Sequence, residues 1–285
     1  MLDMKNNGRK QWILEQRYGS KSQPENLIWN NKIELLLSHR SVRTFLPDAL
    51  PDGTIETMVA AAQSASTSGN LHQWSVIAIT DKCLKEKIAK TSRASSKFGI
   101  GNPYIEQAPV FLLWIADMSR NNYLGIEVNG KAEVHKYTDS FLSSSTDVAL
   151  AAQNAAIAAE SLGLGIVYIG EMRNNEKEIA ELLDLPKYAY VTFGMVVGKP
   201  DPERLSNIRP RPNQKFVLHY NGYKKEQWKK ELKSYEDTFL EFREKSKMKK
   251  KTWKEHVLFS VNDMDYLNGR ENLRTTLEDR GFNFK

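Results

Sequence analysis

A chain of 285 residues, 40% apolar and 27% charged, has the composition of a soluble globular protein with room for one large domain or two ordinary ones. Its longest apolar run, Val110 to Ala116, falls far short of the roughly 20 residues of a membrane helix, the polar N-terminus lacks the apolar core of a secretory leader, and the single cysteine, Cys83, permits no internal disulfide and argues against a cysteine-based metal cluster. Cytoplasmic residence without a membrane or metal is the expectation, and the net charge of +6 leaves nucleic acid or an anionic small molecule as partners to weigh.

In chain order, residues 1–26 are polar and read as an N-terminal arm, closed by Pro24. The fold proper is expected to begin near Leu27, with a helix to about Ser38. The run His39-Arg40-Ser41-Val42-Arg43 follows, then Pro47 and Pro51, then an alanine-rich helix over about 54–65. The hydroxyl-rich segment Ser64 to Asn70 ends that helix. Trp74 to Thr80 alternates and predicts a strand, Asp81 to Lys90 a helix, and Pro109 to Asp117 a fully buried strand. Residues 118–132 read as a loop. Val134 to Leu162 has helical length, and Ala149, Ala151, Ala152, Ala155 and Ala159 put small residues on more than one of its sides, as suits a central helix approached closely by others.

Gly163 and Gly165 end that helix and lead into a predicted strand, Ile166 to Ile169. A helix near Asn175 to Leu183 and a strand from about Tyr190 to Val197 come next. Arg209-Pro210-Arg211-Pro212 then sets two guanidiniums on a proline-stiffened backbone, which lowers the entropy of aiming both at one target. Beyond Tyr223 the pattern predicts helices only, over about 224–247, 253–259 and 271–279. Their aromatic residues need a surface, on the same subunit or on a partner.

Guanidinium pairs hold phosphates through fork-shaped, charge-assisted hydrogen bonds, and a hydroxyl can complete the shell. The His39–Arg43 run therefore predicts an anion site, although the same residues could simply end a surface helix, where cations suit the negative pole of the dipole. The Ser64–Asn70 segment offers short donors and acceptors to a ribityl chain or a ring amide edge, and as a plain helix-ending loop it would look much the same. The basic stretch Arg243 to Lys254 allows a phosphate-bearing cofactor, nucleic acid or a solvated face. In combination, three separated segments can each serve one part of a phosphorylated, polyhydroxylated, planar ligand. Neither a P-loop nor a strand-linked GxGxxG is present, so a Rossmann dinucleotide site is not supported.

The run His39-Arg40-Ser41-Val42-Arg43, the segment Ala65-Ser66-Thr67-Ser68-Gly69-Asn70, the block Ala151-Ala152-Gln153-Asn154 continuing through Ala158 to Gly165, then Tyr168-Ile169-Gly170 with Arg173-Asn174, and finally Arg209-Pro210-Arg211, resemble the FMN-dependent nitroreductase superfamily. Within it the likeness is to the oxygen-insensitive NADPH nitroreductase and NADPH:flavin oxidoreductase branch, in order from about Asn31 to the C-terminus. The resemblance implies an α+β fold, a mixed and mostly antiparallel sheet flanked by helices, built as an intertwined homodimer with a helical C-terminal extension. On that pattern residues 1–26 are an arm, 27–222 the FMN-binding core, and 223–285 the extension that embraces the dimer and forms the NADPH and substrate mouth.

By position, the resemblance assigns His39, Arg40, Ser41, Arg209 and Arg211 to the phosphate and nearby ribityl atoms of a tightly but non-covalently bound FMN. Arg43 would face the N1 and O2 edge of the ring, where negative charge accumulates on reduction. Tyr168, Ile169, Gly170 and Glu171 would pass beside the ring, with a backbone N–H near Glu171 directed at N5. Arg43 and Glu171 are thus the expected catalytic positions, and no metal is required. Ser66, Thr67, Ser68, Asn70 and Asn102 would reach the site from the partner subunit. NADPH, in preference to NADH, would deliver hydride and give way to an acceptor in a ping-pong cycle, with Arg243 on the 2′-phosphate and Arg270 at the substrate mouth. The acceptor would be a nitroaromatic or quinone; the alternative is a reductase that supplies free reduced flavin, and a more distant one is a basic protein that binds nucleic acid or a macromolecular partner. Four positions depart from the branch: Glu171 stands where glycine is common, His72 and Asn102 where glutamine is, and Arg209 where lysine is. The last change preserves phosphate binding.

Overall fold

The computed structural model of the chain describes residues 2–94 and 102–285, with side chains from residue 7 onward. In chain order its elements are helices α1 (Leu2–Tyr18), α2 (Asn31–Ser38) and α3 (Thr54–Gln63), strand β1 (Trp74–Ile79), helices α4 (Lys82–Ala94) and α5 (Tyr104–Gln107), strand β2 (Val110–Asp117), and helices α6 (Ser119–Asn129) and α7 (Thr138–Ser161). Strand β3 (Gly165–Ile169), helix α8 (Glu176–Leu182), strand β4 (Ala189–Gly198) and helices α9 (Gln227–Lys245), α10 (Trp253–Asn262) and α11 (Leu273–Asp279) complete the chain. They group into two compact units, each made of two separate stretches: Met1–Ser41 with Leu205–Tyr266, and Val42–Arg204 with Leu267–Lys285.

The larger unit is built on a four-stranded antiparallel sheet in the order β1-β2-β4-β3. All eight residues of β2 are buried, which its uninterrupted apolar sequence predicts for a strand covered on both faces. Its even-numbered residues Val110, Leu112, Trp114 and Ala116 pack in one core with Met58 and Ala62 of α3 and Ala151, Ala152, Ala155, Ala156 and Ala159 of α7. Its odd-numbered residues Phe111 and Leu113 enter a second core with Ile88 and Ala89 of α4, Ile105 of α5 and Ile179 of α8. The alternation of a pleated strand thus splits one apolar run between two helix layers. The architecture is α+β with an antiparallel sheet between helices, as expected. The alanine face of α7 does what its sequence suggested: small side chains let α3 and the sheet approach it.

At the C-terminus, Arg280 donates to the carbonyls of Ala189, Leu185 and Pro186 and lies 3.8 Å from the buried Glu176 carboxylate, so the last residues are tied to the start of β4. Burial pushes the Glu176 carboxyl up, and the Arg280 charge draws it part of the way back.

The smaller unit is helical. Among the described side chains of α1, Ile13, Leu14 and Arg17 are buried, on one face of the helix at i, i+1 and i+4. Arg9 of α1 pairs with Glu34 of α2. Gly19, with φ +74°, closes α1 where a Cβ would fall 2.7 Å from Thr238 of α9, so only glycine allows this approach. Phe216, Trp228, Tyr235 and Trp253 stack edge to face around α9 and α10, which accounts for the aromatic content of the tail.

Two segments differ from the sequence reading. The lead-in read as an arm contains α1, whose buried stripe at Ile13, Leu14 and Arg17 is too narrow to stand out among its polar residues. The stretch 118–132 read as a loop contains α6, which buries no residue and therefore shows no apolar periodicity; Gly130, at φ +70°, ends it. Among the described residues no helix is long and apolar enough to cross a membrane.

Candidate functional site

The sequence-predicted residues fall into three structural groups, each within one unit. In the smaller unit, α2 starts on Asn30, whose side-chain oxygen accepts the N–H groups of Lys32 at 3.0 Å and Ile33 at 2.9 Å. It ends at His39, where the backbone turns extended and carries Arg40 and Ser41 onward. The second cationic segment, Ile208 to Arg211, alternates buried and exposed: Ile208 and Pro210 inside, Arg209 and Arg211 outside. That alternation presents both arginines on one side of the segment.

A residue that sequence reasoning passed over joins the two segments. Arg17, on α1, is only 5% exposed. Its guanidinium donates to the carbonyls of Leu37 at 2.9 Å, His39 at 2.6 Å and Arg209 at 2.7 Å, while its own carbonyl accepts the Arg211 N–H at 2.7 Å. Arg40 adds a bond to the Ser206 carbonyl at 3.3 Å. His39, Arg40, Ser41, Arg209 and Arg211 are therefore gathered in one place from stretches 170 residues apart in the chain. Nearby, Arg211 and Arg209 temper a Tyr235 hydroxyl that burial pushes up.

In the larger unit, Val42 donates to the Ile166 carbonyl at 2.8 Å and so pins the chain beside β3. Gly165 permits this, because a Cβ there would sit 2.6 Å from the Val42 side chain. Arg43, exposed, donates to the Tyr104 hydroxyl. Tyr104 donates to the Asn102 side-chain oxygen, and the Asn102 amide donates to Glu171. Arg43, Asn102 and Glu171, three of the predicted residues, thus share one hydrogen-bonded chain through Tyr104, which the sequence reading did not single out. Burial raises the Glu171 carboxyl above its ordinary value, opposed by the Asn102 bond and the charge of Arg93. Burial likewise holds the Tyr104 hydroxyl protonated, opposed by Arg43. Tyr168 stands on the more exposed side of β3 with its ring edge-on to Phe193 at 5.3 Å, and Gly170 and Glu171 open the short turn after the strand.

The third group is the loop Ser66 to Asn70, also in the larger unit. The Ser68 N–H and hydroxyl both donate to Asp147 on α7, at 2.9 and 2.8 Å. Gly69, Asn70 and His72 adopt left-handed backbone conformations, which fix the course of the loop. Asn102, which the family pattern assigns to the partner's site, is bonded here to Glu171 of its own chain. Arg243 ends α9 with its guanidinium on the Lys249 carbonyl at 2.7 Å and over the Phe239 ring. Arg270 donates to the Leu267 carbonyl at 2.7 Å in the larger unit.

Residues 36–199 match the nitroreductase family, and residues 209–285 match the nitroreductase family C-terminal domain. An FMN reductase (NADPH) of Bacillus subtilis is 34% identical over 260 residues, which span 89% of this chain and 99% of that protein. Among solved structures, the hypothetical oxidoreductase YcnD from Bacillus subtilis superposes with a TM-score of 0.82 at 31% identity, covering 90% of this chain and 100% of that one. The NADPH:FMN oxidoreductase from Vibrio harveyi complexed with NAD+ gives a TM-score of 0.76 at 29% identity, again over 90% and 100% of the two chains. The basic stretch Arg243 to Lys254 lies inside the matched C-terminal domain, while α1 lies outside both matches.

Proposed function

Because the chain belongs to the nitroreductase family, we propose that it works as a homodimeric FMN-dependent NADPH oxidoreductase that reduces nitroaromatic or quinone acceptors by two electrons. The observation that carries this reading is the convergence of His39, Arg40 and Ser41 with Arg209 and Arg211 inside one unit. Three guanidiniums, an imidazole and a hydroxyl fit the charge and hydrogen-bonding needs of a phosphate monoester. They would hold the phosphate of a tightly, non-covalently bound FMN.

The chemistry that FMN supplies when bound is two-electron transfer between a nicotinamide and an acceptor. Arg43 would offer a permanent cation to the N1 and O2 edge of the ring, and its bond to Tyr104 restrains where that charge sits. Tyr168, Ile169, Gly170 and Glu171 would line the ring, with the Glu171 backbone N–H serving N5. Ser66, Thr67, Ser68, Asn70 and Asn102 would serve the site of the other copy in the dimer, the loop held in shape by Asp147. Arg243 would take the 2′-phosphate that distinguishes NADPH from NADH, Arg270 would stand at the substrate mouth, and residues 223–285 would form the extension that bears both. The expected location is the cytoplasm.

A second reading, release of free reduced flavin as the product, is favoured by the names of the relatives, an FMN reductase (NADPH) and an NADPH:FMN oxidoreductase. One experiment tests the cofactor and donor together: absorbance of the purified protein before and after anaerobic NADPH or NADH. A flavin spectrum bleached faster by NADPH is expected, and a colourless protein that takes up no added FMN would overturn the reading. Steady-state rates with nitroaromatic, quinone and free-flavin acceptors then decide between the two products.

A further inference from the structure

Helix α1 lies outside the family matches yet reaches both cationic segments through one side chain. Arg17 is buried, and burying a guanidinium costs free energy unless its donors are satisfied. Here they are satisfied by the backbone of the two segments that carry the cations: Leu37 and His39 on one side, Arg209 on the other. The Arg211 N–H then returns a bond to the Arg17 carbonyl, so the second segment is held at two points.

Peptide planarity carries the effect further. The His39 carbonyl and the Arg40 N–H belong to one planar trans peptide and point in opposite directions. A guanidinium fixed on the His39 oxygen therefore fixes the direction of the Arg40 N–H as well. Like charges on the two segments repel one another, and a clasp between the segments opposes that repulsion. Arg17 grips carbonyl oxygens, the negative ends of those peptides, so it supplies the clasp and adds a further positive charge to the field an anion meets.

The geometry points to Arg17 as a positioning residue that sets the two cationic segments for the FMN phosphate, making α1 part of the frame of the cofactor site. This rests on the placement of the phosphate at His39–Ser41 and Arg209–Arg211 proposed above. The competing account is that Arg17 only caps the C-terminal carbonyls of α2. A cap would matter for folding but would not distinguish FMN from riboflavin, which lacks the phosphate.

The test uses the full-length protein freed of flavin and titrated with FMN and with riboflavin, for the wild type and Arg17→Gln. Arg17→Gln is expected to weaken FMN binding by about tenfold while riboflavin affinity stays within about twofold, so the preference for FMN collapses. A variant that keeps the wild-type ratio of the two affinities overturns the proposal. A wild type with no preference for FMN refutes the placement of the phosphate, and this proposal with it, which separates the two failures. Should Arg17→Gln not fold, hydrogen exchange on the wild type decides: FMN is expected to slow exchange over Ile13–Tyr18 more than saturating riboflavin does. Equal protection by the two ligands, or none, overturns it.

Discussion

Arg43 and Arg211 carry the same charge but sit in different settings, and the roles proposed for them differ. Arg211 belongs to the proline-stiffened segment whose backbone is tied to Arg17, whereas Arg43 is held to Tyr104 at the head of a hydrogen-bonded chain that ends on Glu171. Arg211→Ala is therefore expected to weaken FMN retention by about tenfold, read by dialysis and flavin fluorescence. Arg43→Ala is expected to keep FMN and slow reduction by NADPH by about a hundredfold in stopped flow, since on the proposed placement it removes a cation facing developing charge. Unchanged retention and rate in both would show that the two roles are misplaced. Glu171 adds a pH signature. Its folded-state carboxyl titrates above the ordinary glutamate value of 4.5, so the native state holds more protons than the unfolded chain in that interval. Stability contributed by this group must fall as pH rises from 4.5 through the raised value and stay level above it. Urea midpoints across about pH 4–8 should fall more steeply in the wild type than in Glu171→Gln, where Glu176 still contributes a fall of the same sign, and identical profiles would discount the group. The runs His39 to Arg43 and Arg209 to Arg211 stood out in the sequence as clustered cations, and the resemblance to the family gave them their expected roles. Tyr104 and Arg17 could not, because one tyrosine in a short helix and one arginine among many carry no pattern.

Among the elements, those with a strong period were readable and those without were not. The continuous apolar run of β2 and the alanines of α7 announce burial on all sides, and the structure buries both between other layers. Helix α6 has nothing buried to reveal it, and among the described side chains of α1 the buried ones are Ile13, Leu14 and Arg17. The tie between α11 and the start of β4 was also hidden, since it depends on two charged residues about a hundred positions apart. Glu176 is nearly inaccessible, and Arg280 is its cationic neighbour as well as the donor to three carbonyls. Arg280→Ala would strand a buried carboxylate and leave those acceptors unsatisfied, at a cost of about 3–5 kcal/mol. Chemical denaturation measures this directly, and a loss below about 1 kcal/mol would mean that the pair contributes little.

For the whole molecule, the dimer reading places a demand on the surface. Helix α7 exposes Leu142 and Leu150, with Thr146, Ala149 and Gln153 between and beyond them at helical spacing, on the side away from its alanine-lined core face. A partner subunit would cover such a stripe, and the residues of the Ser66–Asn70 loop would then serve a site that neither copy completes alone. Sedimentation of the wild type is expected to show a dimer at micromolar concentration. The double substitution Ala149→Glu and Leu150→Glu is expected to yield monomer with FMN lost in parallel. A wild type that is monomeric yet binds one FMN per chain would refute the arrangement, and a dimeric double variant would move the interface elsewhere.

The smaller unit joins residues up to Ser41 with residues from Leu205 onward. During synthesis its first half must wait while roughly 160 residues are added, about 8–30 s at about 5–20 residues per second. Throughout that interval Ile13, Leu14 and Arg17 have no Arg209 segment to close against. The pairing of the two cationic segments is thus a late product of translation. On the proposed placement of FMN, a chain released before Arg209 would lack the second cationic segment and would not retain cofactor, so flavin loading would serve as a clock for completed polypeptide.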